Sequence, residues 1–101
     1  MILVNYSKKN GNICLIESKG HANYEEAGKD IVCSAVSAII VGGFNALNDE
    51  DLLDIIVEKG HAKCVVKGEL SEHDYNVLDT MLIQLMTIEK SYPEFVKILE
   101  K

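Results

Sequence analysis

The segment Ile2-Leu3-Val4-Asn5-Tyr6-Ser7-Lys8-Lys9-Asn10-Gly11-Asn12-Ile13-Cys14-Leu15-Ile16-Glu17-Ser18-Lys19 decides the fold. Ile2 to Tyr6 reads as a strand, and Asn10-Gly11 is the strongest short hairpin signal because both residues tolerate positive φ. Ile13 to Lys19 reads as the returning strand, with Ile13, Leu15 and Glu17 on one face and Cys14, Ile16 and Ser18 on the other. A chain that begins with a hairpin of this kind builds an antiparallel sheet. Beyond it, Gly20 to Gly28 is a connection bounded by glycine at both ends, long enough to serve as a binding loop or lid.

A helix is expected from Lys29 or Asp30 toward Leu47, with Gly42-Gly43 marking a kink, a close helix contact or an early end. Leu52 to Glu58 and His61 to Lys67 read as a second hairpin around Lys59-Gly60, rich in Ile and Val. Ser71 then caps a helix whose first turn carries Glu72 and Asp74. Its apolar positions Val77, Leu78, Met81, Leu82, Leu85 and Ile88 recur at helical spacing. Tyr92-Pro93 ends that helix, and Pro93 is suited to open a last short one. The order ββαββα implies a two-layer α+β domain, an antiparallel sheet of about four strands packed by two main helices. Both helices are more apolar than one sheet contact requires, so a homodimer is expected to cover the remainder.

The chain has 101 residues, 48% of them hydrophobic and 26% charged, which suits one domain spanning residues 1–101. Its net charge of −6 disfavours nucleic acid, since phosphate contacts need clustered Lys and Arg, and suits a basic partner. The Met1–Tyr6 stretch lacks the basic region and apolar length of a signal peptide, and no segment is long enough to span a membrane. Three cysteines, an odd number, with no secretory signal point to the reducing cytoplasm.

Asp30, Cys33, Ser34 and Ser37 share one helix face at i, i+3, i+4 and i+7, surrounded by apolar residues. Two readings of this seam stand side by side. In one, small residues allow close packing and Asp30 favours the helix N-terminus. In the other, Cys33 lies in the first helical turn, where the positive dipole end stabilises a thiolate and unsatisfied amides can bind an oxyanion. His21, at the start of the preceding loop, then serves as general base if that loop folds back over the helix start.

The segments Gly20-His21-Ala22 and Ala27-Gly28-Lys29-Asp30-Ile31-Val32-Cys33-Ser34-Ala35-Val36-Ser37 resemble the ribosomal-processing cysteine protease (Prp) family. That family's pattern is G-H-A, a short spacer, then G-x-D-I-V-C-x-A-V-S. The resemblance extends along nearly the whole chain, to the element order and the closing Tyr92-Pro93-Glu94. It implies a bacterial homodimer with a Cys–His pair and no metal or cofactor. Its substrate is a large-subunit ribosomal protein precursor, from which a short N-terminal extension is removed. Carried over, Cys33 is the nucleophile and His21 the general base. Asp30 and Ser37 support them, and Gly20 allows the His-bearing loop to move.

The remaining candidates are weaker. Cys14 and Cys64 read as packing residues on strands. A zinc site from Cys14, Cys64, His61 and His73 lacks paired short ligand spacings. His61 is expected to begin a strand and His73 to lie on an exposed first turn, while Met81 and Met86 read as core filler. Two other functions remain open: a non-catalytic, ribosome-associated dimeric binding module, and a thiol redox protein that would lack a Cys-x-x-Cys motif.

Overall fold

Both residues of the Asn10-Gly11 turn take positive φ, 55° and 82°, as the tight hairpin requires. They join β1 (Ile2–Lys9) to β2 (Asn12–Lys19). The computed structural model describes the backbone of residues 1–20 and 27–101 and the side chains of 1–20 and 31–101. After β2 come α1 (Ala27–Asn45), a 3-10 turn at Glu50–Leu52, β3 (Leu53–Glu58), β4 (His61–Val66), α2 (Glu72–Ser91) and β5 (Val96–Glu100). The two-layer α+β arrangement expected from the sequence is present, and one strand is added to it. The sheet runs β3-β4-β2-β1-β5, antiparallel throughout except that β5 lies parallel to β1.

The segment after Pro93 is therefore a strand and not a last short helix. Its alternation suits a strand, since Val96 is buried and Ile98 packs on the core while Lys97 is exposed. The amide of Ile2 donates to the Phe95 carbonyl at 2.8 Å, and that of Lys101 to the Tyr6 carbonyl at 2.7 Å. A second departure lies in β2. The β1–β2 register slips between Ser7 and Lys8, where Ser7 pairs with Leu15 but Lys8 pairs with Ile13. Cys14 is the extra residue of a bulge, and the bulge brings Ile13 and Ile16 to the same buried face.

The core lies between that face and the two helices. Val4, Ile16, Val32, Leu78, Leu85 and Val96 are inaccessible to solvent. Met81 belongs to the core, whereas Met86 is 39% exposed and is not core filler. Gly43 resolves the meaning of the Gly42-Gly43 pair: a Cβ there would lie 2.2 Å from Met81 Sδ, so this is where α1 approaches α2 closely.

Close to this contact Asp74, fully buried, ties the loop after α1 to the start of α2. Its carboxylate accepts from the Asn48 amide at 3.0 Å and the Asp49 amide at 2.8 Å, and pairs with His73 Nδ1 at 2.8 Å. Asp49 reciprocates, accepting from the Ser71 amide at 2.8 Å, and Ser71 Oγ caps the helix by accepting from the Asp74 amide at 3.2 Å. Burial pushes the Asp74 carboxyl up, but the bonds from His73, Asp49 and Asn48 outweigh it and hold the pKa below its ordinary 3.8.

Two stability measurements test these contacts. Gly43→Ala forces Met81 aside and should cost about 1–3 kcal/mol. Gly42→Ala, whose Cβ meets nothing within 4 Å, should instead stabilise the helix by about 0.5–1 kcal/mol. Asp74→Asn turns an NH2 donor toward the Asn48 and Asp49 amide donors and should cost about 2–4 kcal/mol at neutral pH. Because the folded pKa is depressed, this stability is complete above the unfolded value and is lost as pH falls through the folded one. Thermal melts of the wild type should therefore drop on acidification below about pH 4, more steeply than those of Asp74→Asn.

Candidate active site

The rotation of α1 follows from its buried stripe. Val32, Val36, Ile40 and Phe44 recur every four residues and face the core. Cys33 and Ser37 stand one position further round, at the border of core and solvent, with Cys33 half-buried and Ser37 exposed. The helix begins at Ala27, earlier than the residue spacing suggests. Cys33 is thus its seventh residue and lies in the second turn, not the first. Its amide belongs to the helical ladder and is not one of the four unsatisfied donors at the N-terminus, and the dipole acts mainly within the first turn. The oxyanion and thiolate support expected from the helix end is correspondingly reduced.

Cys33 and Ser37 open onto a cleft of ≈ 310 Å³ between α1 and the end of the sheet. Its apolar wall on the helix is Val36, Ile40 and Val41, and opposite stand Ser18, Val57 and Ala62. Gly20 closes one end. Its φ is +112°, a Cβ would lie 2.3 Å from the Met1 carbonyl oxygen, and its amide donates to the Gly60 carbonyl at 3.0 Å. The post from which the following loop departs is therefore fixed on two sides and admits only glycine.

Three of the five residues singled out from the sequence, Gly20, Cys33 and Ser37, meet in this cleft. His21 lies outside the described residues, as does the side chain of Asp30. Ser34, on the same helical seam, is exposed and does not line the cleft. The wall contributed by the β3–β4 hairpin was not singled out. Its signal was the run Ile55-Ile56-Val57, apolar on both faces of one strand.

The other candidates fall elsewhere. Cys64 is buried on the helix-facing side of β4, and burial, followed by the charges of Asp54 and Asp74, pushes its thiol up to about 11, which suits packing and not nucleophilic attack. Cys14, half-buried, lines a separate cavity with Lys67 and Tyr75. His61 does begin β4 and borders the cleft, but its ring turns to the far face of the sheet. There Nε2 meets Glu17 Oε2 at 2.6 Å, and that bond, with the charges of Lys19 and Lys63, outweighs burial and lowers the Glu17 pKa. His73 lies on the half-exposed first turn of α2. Among the described residues no group of three or more His, Cys, Asp or Glu is placed to hold a metal ion. What the cleft offers is a thiol against an apolar wall, an arrangement that can take a peptide.

Comparison with known proteins gives this arrangement a context. A family model described as Cysteine protease Prp matches residues 1–97. The Ribosomal processing cysteine protease Prp of Bacillus subtilis is 31% identical over 94 residues, covering 85% of this chain and 84% of that one. The protein of the same name from Mycoplasma genitalium is 35% identical over 104 residues, covering 100% of this chain and 97% of the relative. The crystal structure of the S. aureus essential ribosomal processing protease Prp with a covalently linked product peptide superposes with a TM-score of 0.85 at 31% identity, covering 100% of both chains. A second structure of that protease, with a substrate peptide, gives 0.81 at 29% identity, again covering both chains fully.

Gly20→Ala tests the post at the cleft's end. The positive φ and the clash with Met1 should together cost about 1–3 kcal/mol. A thermal melt measures that cost, and the same variant should lose activity more steeply than its lowered stability explains at a temperature where it is fully folded.

Proposed function

The chain belongs to the cysteine protease Prp family, and on that premise we propose that it removes a short N-terminal extension from a large-subunit ribosomal protein precursor. The observation that carries this reading is Cys33 on the wall of a peptide-sized cleft. That a relative holds a covalently linked product peptide fits a thiol nucleophile.

In this mechanism His21 takes the Cys33 proton, and Sγ attacks the carbonyl carbon of the scissile bond. The C–N bond then breaks, the amine leaves with the proton, and the mature ribosomal protein departs first. The extension remains as a thioester on Cys33 until water, deprotonated by His21, releases it. Since Cys33 sits in the second turn of α1, the helix dipole adds little and the base carries the activation. Asp30 holds the helix start or orients His21, and Ser37 hydrogen-bonds within the cleft. Gly20 fixes the backbone immediately before His21.

The net charge of −6 supports capture of a basic precursor and argues against direct nucleic-acid binding. Ribosomal proteins are made in the cytoplasm, which is the location this reading assigns, and among the described residues no helix is long and apolar enough to cross a membrane. Residues 1–101 then act as one protease domain. Exposed Ile31, Ile83 and Met86 support its assembly as a homodimer.

The test is a precursor bearing its N-terminal extension, followed by mass after incubation with wild type, Cys33→Ala and His21→Ala. Wild type should shorten it, and each variant should lose about a thousandfold or more in kcat/KM. A precursor left intact by the wild type, while still co-purifying with all three proteins, would replace this reading with a binding module.

A further inference from the structure

The ladder between β2 and β4 ends at the cleft. Its last register pair is Lys19 with His61, and one bond follows, from the Gly20 amide to the Gly60 carbonyl at 3.0 Å. The next residue in the chain is His21. Ladder ends open more readily than ladder centres, so whatever holds this end also holds the backbone that leads into His21. The β3–β4 turn at Lys59-Gly60 lines the cleft on the same side.

On the opposite face of the sheet one contact spans this end. Glu17 stands directly across from Lys63, and His61 lies on the diagonal, two residues nearer the turn. A diagonal neighbour is too far for short side chains but within reach of a glutamate and an imidazole. His61 Nε2 donates to Glu17 Oε2 at 2.6 Å, with the two side chains 31% and 14% exposed. So short and so shielded a bond to a carboxylate restrains more than an ordinary surface ion pair. Lys19 Nζ lies 3.8 Å from the same oxygen on an exposed side chain, and adds charge with little restraint. Among the described residues, the His61–Glu17 bond is the one side-chain hydrogen bond between β2 and β4.

We propose that Glu17 and His61 are positioning residues for the reaction: their pair clamps the β3–β4 turn onto β2 from the far face, and so fixes Gly60, Gly20 and the backbone entering His21. The inference rests on the peptidase reading for the role of His21. It adds two side chains that lie on the face away from the thiol and act only through the backbone.

Amide hydrogen exchange, followed by NMR on the full chain without substrate, reads the clamp directly. His61→Ala and Glu17→Ala should speed exchange at Gly20 at least tenfold and leave Ile16, further back on the same strand, as in the wild type. His61→Gln, which keeps an N–H donor near the place of Nε2, should retain the protection. The double variant should exchange at Gly20 no faster than either single one, because both remove the same bond. On the precursor, His61→Ala and Glu17→Ala should lower kcat at least fivefold with KM nearly unchanged. His61→Gln should recover most of that loss, and Lys63→Ala, a control on the same face, should match the wild type.

Unchanged Gly20 exchange in the two Ala variants would overturn the clamp. Equal acceleration at Gly20 and Ile16 would also overturn it, since that reports a general loss of stability. Faster Gly20 exchange with kcat intact, or a change in KM alone, would overturn the positioning role. So would a His61→Gln variant as impaired as His61→Ala, because the ring and not its bond would then matter. Were the wild type to leave the precursor intact while the exchange pattern holds, the peptidase reading would fall and the clamp on Gly20 would stand.

Discussion

Burial of one stripe of α1 sets everything else in this molecule. Val32, Val36, Ile40 and Phe44 go into the core, each stabilising the fold by roughly 1.5–3 kcal/mol. With that stripe committed, the helix has no freedom of rotation. A turn of one residue, about 100°, would carry Cys33 into the core in place of Val32 and bring Ser34 to where it stood. The thiol's position is thus a by-product of aliphatic packing one residue away. The Gly43–Met81 approach and the Asp74 carboxylate then fix how α1 and α2 lie against one another.

What the sequence made legible was local. Positive φ at Asn10-Gly11 and the Ser71 cap each depend on near neighbours, and each is found where expected. What it hid was decided at a distance. Val96 to Glu100 is five residues of ambiguous periodicity, and its strand character depends on β1, with Tyr6 and Glu100 meeting across 94 positions. The bulge at Cys14 is likewise invisible until β1 pairs with β2. The candidate site divides along the same line. Cys33, Ser37 and Gly20 stand out in the sequence, whereas Val57 and Ala62, which complete the cleft, come from a hairpin whose docking no local rule predicts.

The far face of the sheet is built differently from the cleft. Glu17, His61, Lys19 and Lys63 form a charged cluster there, held by the 2.6 Å pair between His61 and Glu17. One strand, β4, therefore presents Ala62 to an apolar cleft and His61 and Lys63 to an ionic surface. The separation turns the His61 imidazole away from the Cys33 side of the sheet.

The parallel pairing of β5 with β1 has a consequence for the protein's birth. Ile2, at the floor of the cleft, is pinned by the carbonyl of Phe95, so the earliest strand to leave the ribosome waits for the latest of the described elements. Such non-local pairing slows folding and raises the penalty for premature release. A nascent chain stalled before residue 96 would leave one side of β1 unpaired and its cleft floor unanchored until β5 emerges.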